Sequence, residues 1–194
     1  FAPLHATGNP VGGIWSRGLV GKTAALSTLA LSWGLINFGL LLWLPADLVA
    51  KGRSMAVSSS LLAQSAIIAF PTIFVVAYLY SRWSTKWSLI ATMAITFAGL
   101  IGVLLIDRDA SISPVLPIAL LIIGTNGILA ILLPYAAESY PLHIRGRATG
   151  WVAACSKGGG LIAQGLSISA LVPPLGMAAG LLVAPILIAA LLIS

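Results

Sequence analysis

Charged residues are scarce in this chain of 194 amino acids. Lys, Arg, Asp and Glu together make up 7% of it, whereas a soluble domain carries about 25%. The mean hydropathy is +1.08. So few polar side chains cannot cover a surface that faces water, which excludes an ordinary soluble domain and makes lipid the expected solvent.

Residues that ligate metals or act as nucleophile and base are also few. The one cysteine, Cys155, lies within an apolar run and can form no internal disulfide. His5 and His143 are expected in loops, and Glu138 precedes His143 by five residues, the wrong spacing for a helical metal pair. We therefore expect no metal, no cofactor and no enzymatic activity, with a membrane-embedded enzyme as an alternative.

The formal net charge of +6 does not indicate a nucleic-acid partner. The basic residues stand singly or in pairs between apolar runs, without the basic stripe and interleaved aromatic residues that follow a phosphate backbone. Membrane topology accounts for them better.

Six apolar windows are each long enough to cross a hydrocarbon core of about 30 Å as a helix. They lie at 24–43, 57–80, 87–106, 114–133, 149–172 and 175–193. The windows are too long, and lack the alternation, for the strands of a membrane barrel. The sequence therefore predicts an all-α membrane protein with six transmembrane helices, preceded by a Gly- and Pro-rich linker at residues 1–23.

Lys and Arg are more numerous on one side of these predicted spans. That side has six: Arg17, Lys22, Arg82, Lys86, Arg145 and Arg147. The other side has three: Lys51, Arg53 and Arg108. Because cytoplasmic loops carry an excess of basic residues, we predict a cytoplasmic amino terminus and linker, in a plasma membrane or a bacterial inner membrane.

The segment SRGLVGKT, residues 16–23, differs by one residue from the phosphate-binding loop G-x-x-x-x-G-K-[ST]. Ser16 stands at the place of the first glycine. That loop acts between a buried strand and a helix. Here a linker precedes it and an apolar span follows, so nucleotide binding is not expected.

Proline and glycine within the spans predict local features of the helices. Pro71 and Pro185 each remove a helical hydrogen bond and are expected to kink their helices. Gly176 and Gly180, and the three glycines at 158–160, favour close helix packing, with a substrate path as the alternative.

Polar side chains inside the spans indicate where the protein has a wet interior, because in hydrocarbon they are costly. The candidates are Trp33 and Asn37 in the first span, Gln64 in the second, Asn126 in the fourth and Gln164 in the fifth. The third and sixth spans carry nothing more polar than Ser or Thr. This order predicts two three-helix units, related by an inverted repeat, around an aqueous path. Hydrogen bonding to neighbouring helices is the alternative for each amide.

Lys157 is the strongest candidate for contact with a substrate. It lies about nine residues, or ~13 Å, beyond the cytoplasmic start of the fifth span, which is too deep for the ammonium to reach either surface easily. Gln164 follows seven residues later on the same helical face. No carboxylate lies inside the six predicted spans, so Lys157 is expected to pair with an anionic substrate group or with a carboxylate outside this chain.

The segment from Tyr135 to Gln164 resembles major facilitator superfamily transporters. The likeness is greatest to the branch of sugar porters, organic-ion transporters and metabolite:proton symporters, whose pattern is roughly Y-x-x-E-x-x-P-x-x-x-R-x-x-x-x-G. Tyr135, Glu138, Pro141, Arg145 and Gly150 occupy those places. A second family motif, G-x-x-x-D-R-x-G-R-[RK], is matched more weakly by AYLYSRWSTK, in which a serine replaces the aspartate.

This resemblance implies the carboxy-terminal half of a twelve-helix carrier. Such a half works with an amino-terminal six-helix half, outside this chain, to move a small polar or anionic metabolite by alternating access, with proton symport. It also implies a cytoplasmic gate in which Glu138 pairs with Arg82 or Arg145, near Arg147. A basic residue near the place of Lys157 contacts substrate in similar carriers of organic anions. A six-helix scaffold in the lipid bilayer without transport activity is the alternative, and it leaves Lys157 unexplained.

Overall fold

A computed structural model of the protein describes residues 13–52, 54–82, 84–108, 113–169 and 171–193. His5 and the rest of residues 1–12 of the predicted linker lie outside this part. The described residues form helices and turns, without strands. The elements are α1 (Val20–Leu35), a π-helical turn (Ile36–Leu40), α2 (Leu41–Ala50), α3 (Met55–Ala69), α4 (Thr72–Arg82), α5 (Thr85–Arg108), α6 (Val115–Ser139), α7 (Leu142–Ile168) and α8 (Leu175–Ile193).

The first predicted span is a continuous helical stretch of 31 residues, Val20–Ala50. The π-helical turn joins α1 to α2, and Pro45 lies inside α2 without ending it. Asp47 and Lys51 form an ion pair of 2.8 Å at the end of α2. The stretch extends beyond the predicted window 24–43 at both ends, since charged residues stop an apolar window but not a helix.

The second predicted span is divided at Pro71, as its sequence predicted. Helix α3 begins after Ser54, whose Oγ accepts a hydrogen bond of 3.2 Å from the Val57 amide, and it ends at Ala69. Pro71 has no amide hydrogen to donate, and α4 begins at Thr72. Helix α8, by contrast, is continuous through Pro185.

The connection between α6 and α7 is shorter than predicted. Helix α6 continues to Ser139 and α7 begins at Leu142, so two residues separate them. Pro141 favours an extended conformation in the residue before it, and Tyr140 has φ −116° and ψ 147°. The expectation of a loop around His143 was therefore wrong, because His143 lies in the first turn of α7.

Within the described residues, five helical stretches are long and apolar enough to cross a membrane: Val20–Ala50, Met55–Tyr78, Thr85–Ile106, Val115–Ser139 and Leu175–Ile193. They identify an integral membrane protein. Helix α7 is 27 residues long, but arginine, lysine and glycine lower its hydropathy, and it is not among the five. A sixth span at α7 and the inverted repeat stay predictions.

Glycines allow the helices to pack closely. Helix α5 lies against α6 and α8, and α7 lies against α1 and α6. A Cβ built on Gly99 would lie 2.9 Å from the Leu121 amide nitrogen, and one on Gly124 would lie 2.7 Å from the Thr96 amide nitrogen. The α5–α6 interface therefore has room only for hydrogen at these two positions.

The residues before α1 fold back against the junction of α6 and α7. The Ser16 amide donates to the Gly13 carbonyl at 2.9 Å, and Thr23 Oγ1 donates to the Ile14 carbonyl at 2.6 Å. Thr23 Oγ1 and the Tyr140 hydroxyl are 2.8 Å apart. The segment 16–23 is thus a turn that leads directly into the first turn of a helix.

Candidate functional site

A crossing of glycines places α1 against the middle of α7. A Cβ built on Gly159 would lie 3.1 Å from the Gly34 Cα and would collide with the Leu31 carbonyl. A Cβ on Gly34 would meet the Gly160 amide nitrogen at 2.9 Å. The prediction of close packing at 158–160 is therefore confirmed for Gly159 and Gly160, whereas Gly158 has ordinary contact distances.

Phe38 lies within the π-helical turn that follows this crossing. Bonding from i to i+5 turns the side chains of such a turn away from the directions of an ideal α-helix. The rings of Trp33 and Phe38 are in edge contact, with centroids 5.8 Å apart and planes at 89°. Phe38 is thus a direct neighbour of Trp33.

Lys157 and Gln164 both contact Phe38, and we call these three residues the Lys157 cluster. The Lys157 Nζ lies 5.6 Å from the centroid of the Phe38 ring, and Gln164 Nε2 donates to the Phe38 carbonyl at 2.7 Å. Lys157 is exposed, about 22 Å of helical rise from Leu142 and about 16 Å from Ile168. Lys157 thus lies near mid-helix and Gln164 four residues before the end of α7, and both contact Phe38 from one side of the helix, as their spacing predicted.

Asn37 lies next to this cluster, in a cavity of about 420 Å³ that we call the Asn37 cavity. Phe38 lines both the cavity and the Lys157 cluster. The other lining residues are apolar and come from α2, α3 and α6: Leu41, Leu42, Pro45, Leu62 and Ile122. The cavity thus offers an apolar volume with one amide, and one of its lining residues, Phe38, also contacts the Lys157 ammonium.

Trp33 has a different position from the other candidates. Its side chain is 3% exposed, and its Nε1 donates to the Thr125 carbonyl of α6 at 2.8 Å. In this conformation the indole therefore joins two helices, and its contact with a substrate stays a prediction.

Asn126 and Gln64 lie apart from the Lys157 cluster. Asn126 lines a separate cavity of about 410 Å³ between α4 and α6, together with Thr72, Val76 and Gly127. Gln64 is exposed on α3, and in the described part of the chain no hydrogen bond joins it to Lys157, Phe38 or Gln164. The candidates thus occupy two cavities, one cluster and an exposed helical face.

The predicted gate residues lie on helices near the α6–α7 junction and at the end of α4. Glu138 and Arg147 are exposed, and Arg82 ends α4 with its guanidinium 5.9 Å from the Tyr78 ring centroid. Arg145 is half-buried, and its Nε is buried without a hydrogen-bond partner among the described residues. Within that part of the chain Glu138 forms no ion pair with either arginine, so the gate stays a prediction.

Sequence reasoning missed Phe38. Polarity singled out its neighbour Asn37, and α-helical spacing placed Asn37 rather than Phe38 over Trp33. The available signals were an aromatic residue beside a glycine, Gly39, and its place in the same span as two polar candidates. The π-helical turn that makes Phe38 central has no clear sequence pattern.

No family model matches the sequence. The chain is similar to the "Putative niacin/nicotinamide transporter NiaP" of Bacillus subtilis (strain 168), with 29% identity over 149 residues, which are 76% of this chain and 36% of that protein. The chain therefore spans about a third of the length of that relative. The relative's name describes a transporter, which agrees with the expectation that this chain is not an enzyme.

Proposed function

We propose that the chain forms part of a secondary transporter for a small metabolite, as the carboxy-terminal half of a major facilitator superfamily carrier. Three facts support this proposal: the apolar helices, the motif from Tyr135 to Gly150, and the similarity to a protein named as a niacin and nicotinamide transporter. An amino-terminal half would cover the face that carries Lys157 and complete the substrate path.

The observation that carries the proposal is the position of Lys157. Its ammonium is exposed near the middle of a helix packed among apolar helices, and its described contact is a ring rather than a carboxylate. A cation among apolar helices raises the free energy of the folded protein unless a counter-charge or a ligand stabilises it. An anionic substrate group would supply the missing counter-charge.

The substrate that fits this arrangement best is a small ring-bearing acid of the niacin type. The Asn37 cavity provides apolar walls and one amide for the ring, and Lys157 provides the charge for a carboxylate. Nicotinamide has the same ring without the charge, so the site would prefer the acid to the amide.

Glu138 and Arg145 would form the cytoplasmic gate in another state of the carrier. The buried, unpartnered Nε of Arg145 supports this assignment, because a buried donor gains free energy from a partner. We assign proton coupling to the carrier as a whole, with the proton-carrying carboxylate in the amino-terminal half.

Uptake of labelled nicotinate by the complete protein tests the proposal. Lys157→Ala should lower uptake at least about tenfold, the factor expected when a charge-assisted contact worth more than about 1.4 kcal/mol is lost, while Lys157→Arg keeps part of it. Lys22→Ala is the matched control, since Lys22 is exposed in the first turn of α1. Undiminished uptake by a well-expressed Lys157→Ala protein would remove Lys157 from the site.

A further inference from the structure

Phe38 contacts more parts of the candidate site than any of the residues that were predicted from their polarity. Its ring faces the Lys157 ammonium at 5.6 Å, its carbonyl accepts from Gln164 at 2.7 Å, and it lines the Asn37 cavity. We propose that Phe38 is a positioning and specificity-determining residue, which holds Lys157 ready for an anion and forms the aromatic wall against which a flat ring packs. This inference rests on the proposed function.

The Phe38 ring is held in place from three sides. Gly160 leaves the space that the ring occupies, since a Cβ there would lie 2.8 Å from Phe38 Cδ2. Trp33 supports the ring edge-on, and Gln164 holds the backbone of the π-helical turn. A ring restrained from three sides loses little further conformational entropy when a ligand binds.

The contact with the Phe38 ring orients Lys157 but keeps its charge. An aromatic face attracts an ammonium by about 0.5–2 kcal/mol without neutralising it. A carboxylate partner would restrain the lysine equally well, but an incoming anion would then have to displace it. The Phe38 ring therefore positions the Lys157 ammonium and leaves its charge available to an anion. A neutral ligand carries no charge that could pair with this ammonium.

The lining of the Asn37 cavity suits a flat ligand. Phe38 and Asn37 line it together with apolar residues such as Leu42 and Ile122. Flat rings pack against an aromatic wall in offset or edge-on geometry. The combination favours an aromatic monoanion over an aliphatic anion of equal charge, and over the corresponding neutral amide.

Transport by the complete protein tests this inference through Phe38→Leu, which keeps apolar volume but removes the ring, and Phe38→Tyr, which keeps the ring. Phe38→Leu should raise the KM for nicotinate roughly three- to tenfold, in line with the loss of a cation–π contact, with the maximal rate largely retained. It should also reduce the preference for nicotinate over nicotinamide, and Phe38→Tyr should restore both. Phe97→Leu on α5 is the matched control, because it also shortens a half-buried phenylalanine packed against the core.

An unchanged KM and preference in Phe38→Leu would overturn the inference, as would a fall in maximal rate alone, which a structural role would produce.

Binding to the purified complete protein separates this failure from failure of the proposed function. Benzoate should raise the melting temperature more than benzamide, and Phe38→Leu should reduce that difference. If the protein transports neither nicotinate nor nicotinamide but this pattern holds, the site is correct and the transport proposal is wrong. If benzoate and benzamide act alike on the unmodified protein, the role of Phe38 is refuted.

Discussion

Gly34 in α1 and Gly159 in α7 meet backbone to backbone: a Cβ on Gly159 would come within 3.1 Å of the Gly34 Cα. This crossing sets the distance between the two helices that carry Phe38 and Lys157. Its stability and the geometry of the candidate site are therefore linked.

Gly159→Ala should destabilise the protein, because the added methyl collides with the Leu31 carbonyl and the backbone cannot yield easily. Overpacking of this kind costs about 1–3 kcal/mol. Thermal unfolding in detergent measures the effect. Gly165→Ala on the same helix is the control, since nothing lies within 4 Å of a Cβ there, and its melting temperature should not fall. Equal stability of the two variants would contradict the close crossing.

Trp33→Phe should lower stability because it removes the 2.8 Å hydrogen bond from the indole Nε1 to the Thr125 carbonyl, which joins α1 to α6. The expected cost is about 0.5–1.5 kcal/mol. The same change at Trp87, which is 61% exposed, should cost little. A thermal-shift comparison of the two variants measures the difference, and a smaller loss for Trp33→Phe than for Trp87→Phe would refute a joining role for the indole.

Tyr140→Phe should cost about 1 kcal/mol, since it removes the buried hydrogen bond with Thr23. Burial also raises the pKa of Tyr140 above its usual 10.0, an effect that the hydrogen bond with Thr23 partly opposes. A raised pKa in the folded state gives stability that is present below pH 10.0 and is lost as the pH rises further.

The melting temperatures of the unmodified protein and of Tyr140→Phe should therefore converge only as the pH rises above 10.0, the window in which the unfolded chain loses the tyrosine proton before the folded protein does. Tyr135→Phe serves as the control for the other tyrosine near this junction. A constant difference across the window would show that Tyr140 does not titrate there.

Glu138→Gln should shift the complete carrier towards the inward-open state if Glu138 closes the cytoplasmic gate with Arg145 or Arg82. Accessibility of engineered cysteines on the cytoplasmic side measures this shift, in a background in which Cys155 and every other native cysteine of the complete carrier are replaced by serine. Glu138→Asp keeps the charge and should retain most of the closed state. An unaltered accessibility pattern in Glu138→Gln would reject the gate.

Composition and apolar length were sufficient to predict an all-helical membrane protein, because the cost of unpaired backbone groups in lipid leaves few alternatives. The break at Pro71 was also predictable, since proline lacks the donor that the helix needs. Helix ends were less predictable: Tyr140 and Pro141 form a two-residue junction where a longer loop was expected. Polar residues at the ends of apolar runs can remain helical, and hydropathy does not distinguish them from loops.

Part of the candidate site was predictable for a similar reason. The seven-residue spacing of Lys157 and Gln164 was sufficient to place them on one face of α7. Their shared partner Phe38 was not predictable, because it lies in a π-helical turn, where the periodicity of an ideal α-helix does not give the direction of a side chain.

The helical stretch Val20–Ala50 has 31 residues, or about 46 Å of helical rise. A hydrocarbon core of ~30 Å would need a tilt near 50° to enclose it, well above the ~20° that is usual for membrane helices. About 14 Å therefore extends into the headgroup regions. Charged side chains stand at both ends of the stretch, Lys22 near its start and the Asp47–Lys51 pair near its end, where lipid phosphates and water would solvate them. In a bilayer these two ends would set the depth of the helix, and with it the depth at which Phe38 presents its ring to Lys157.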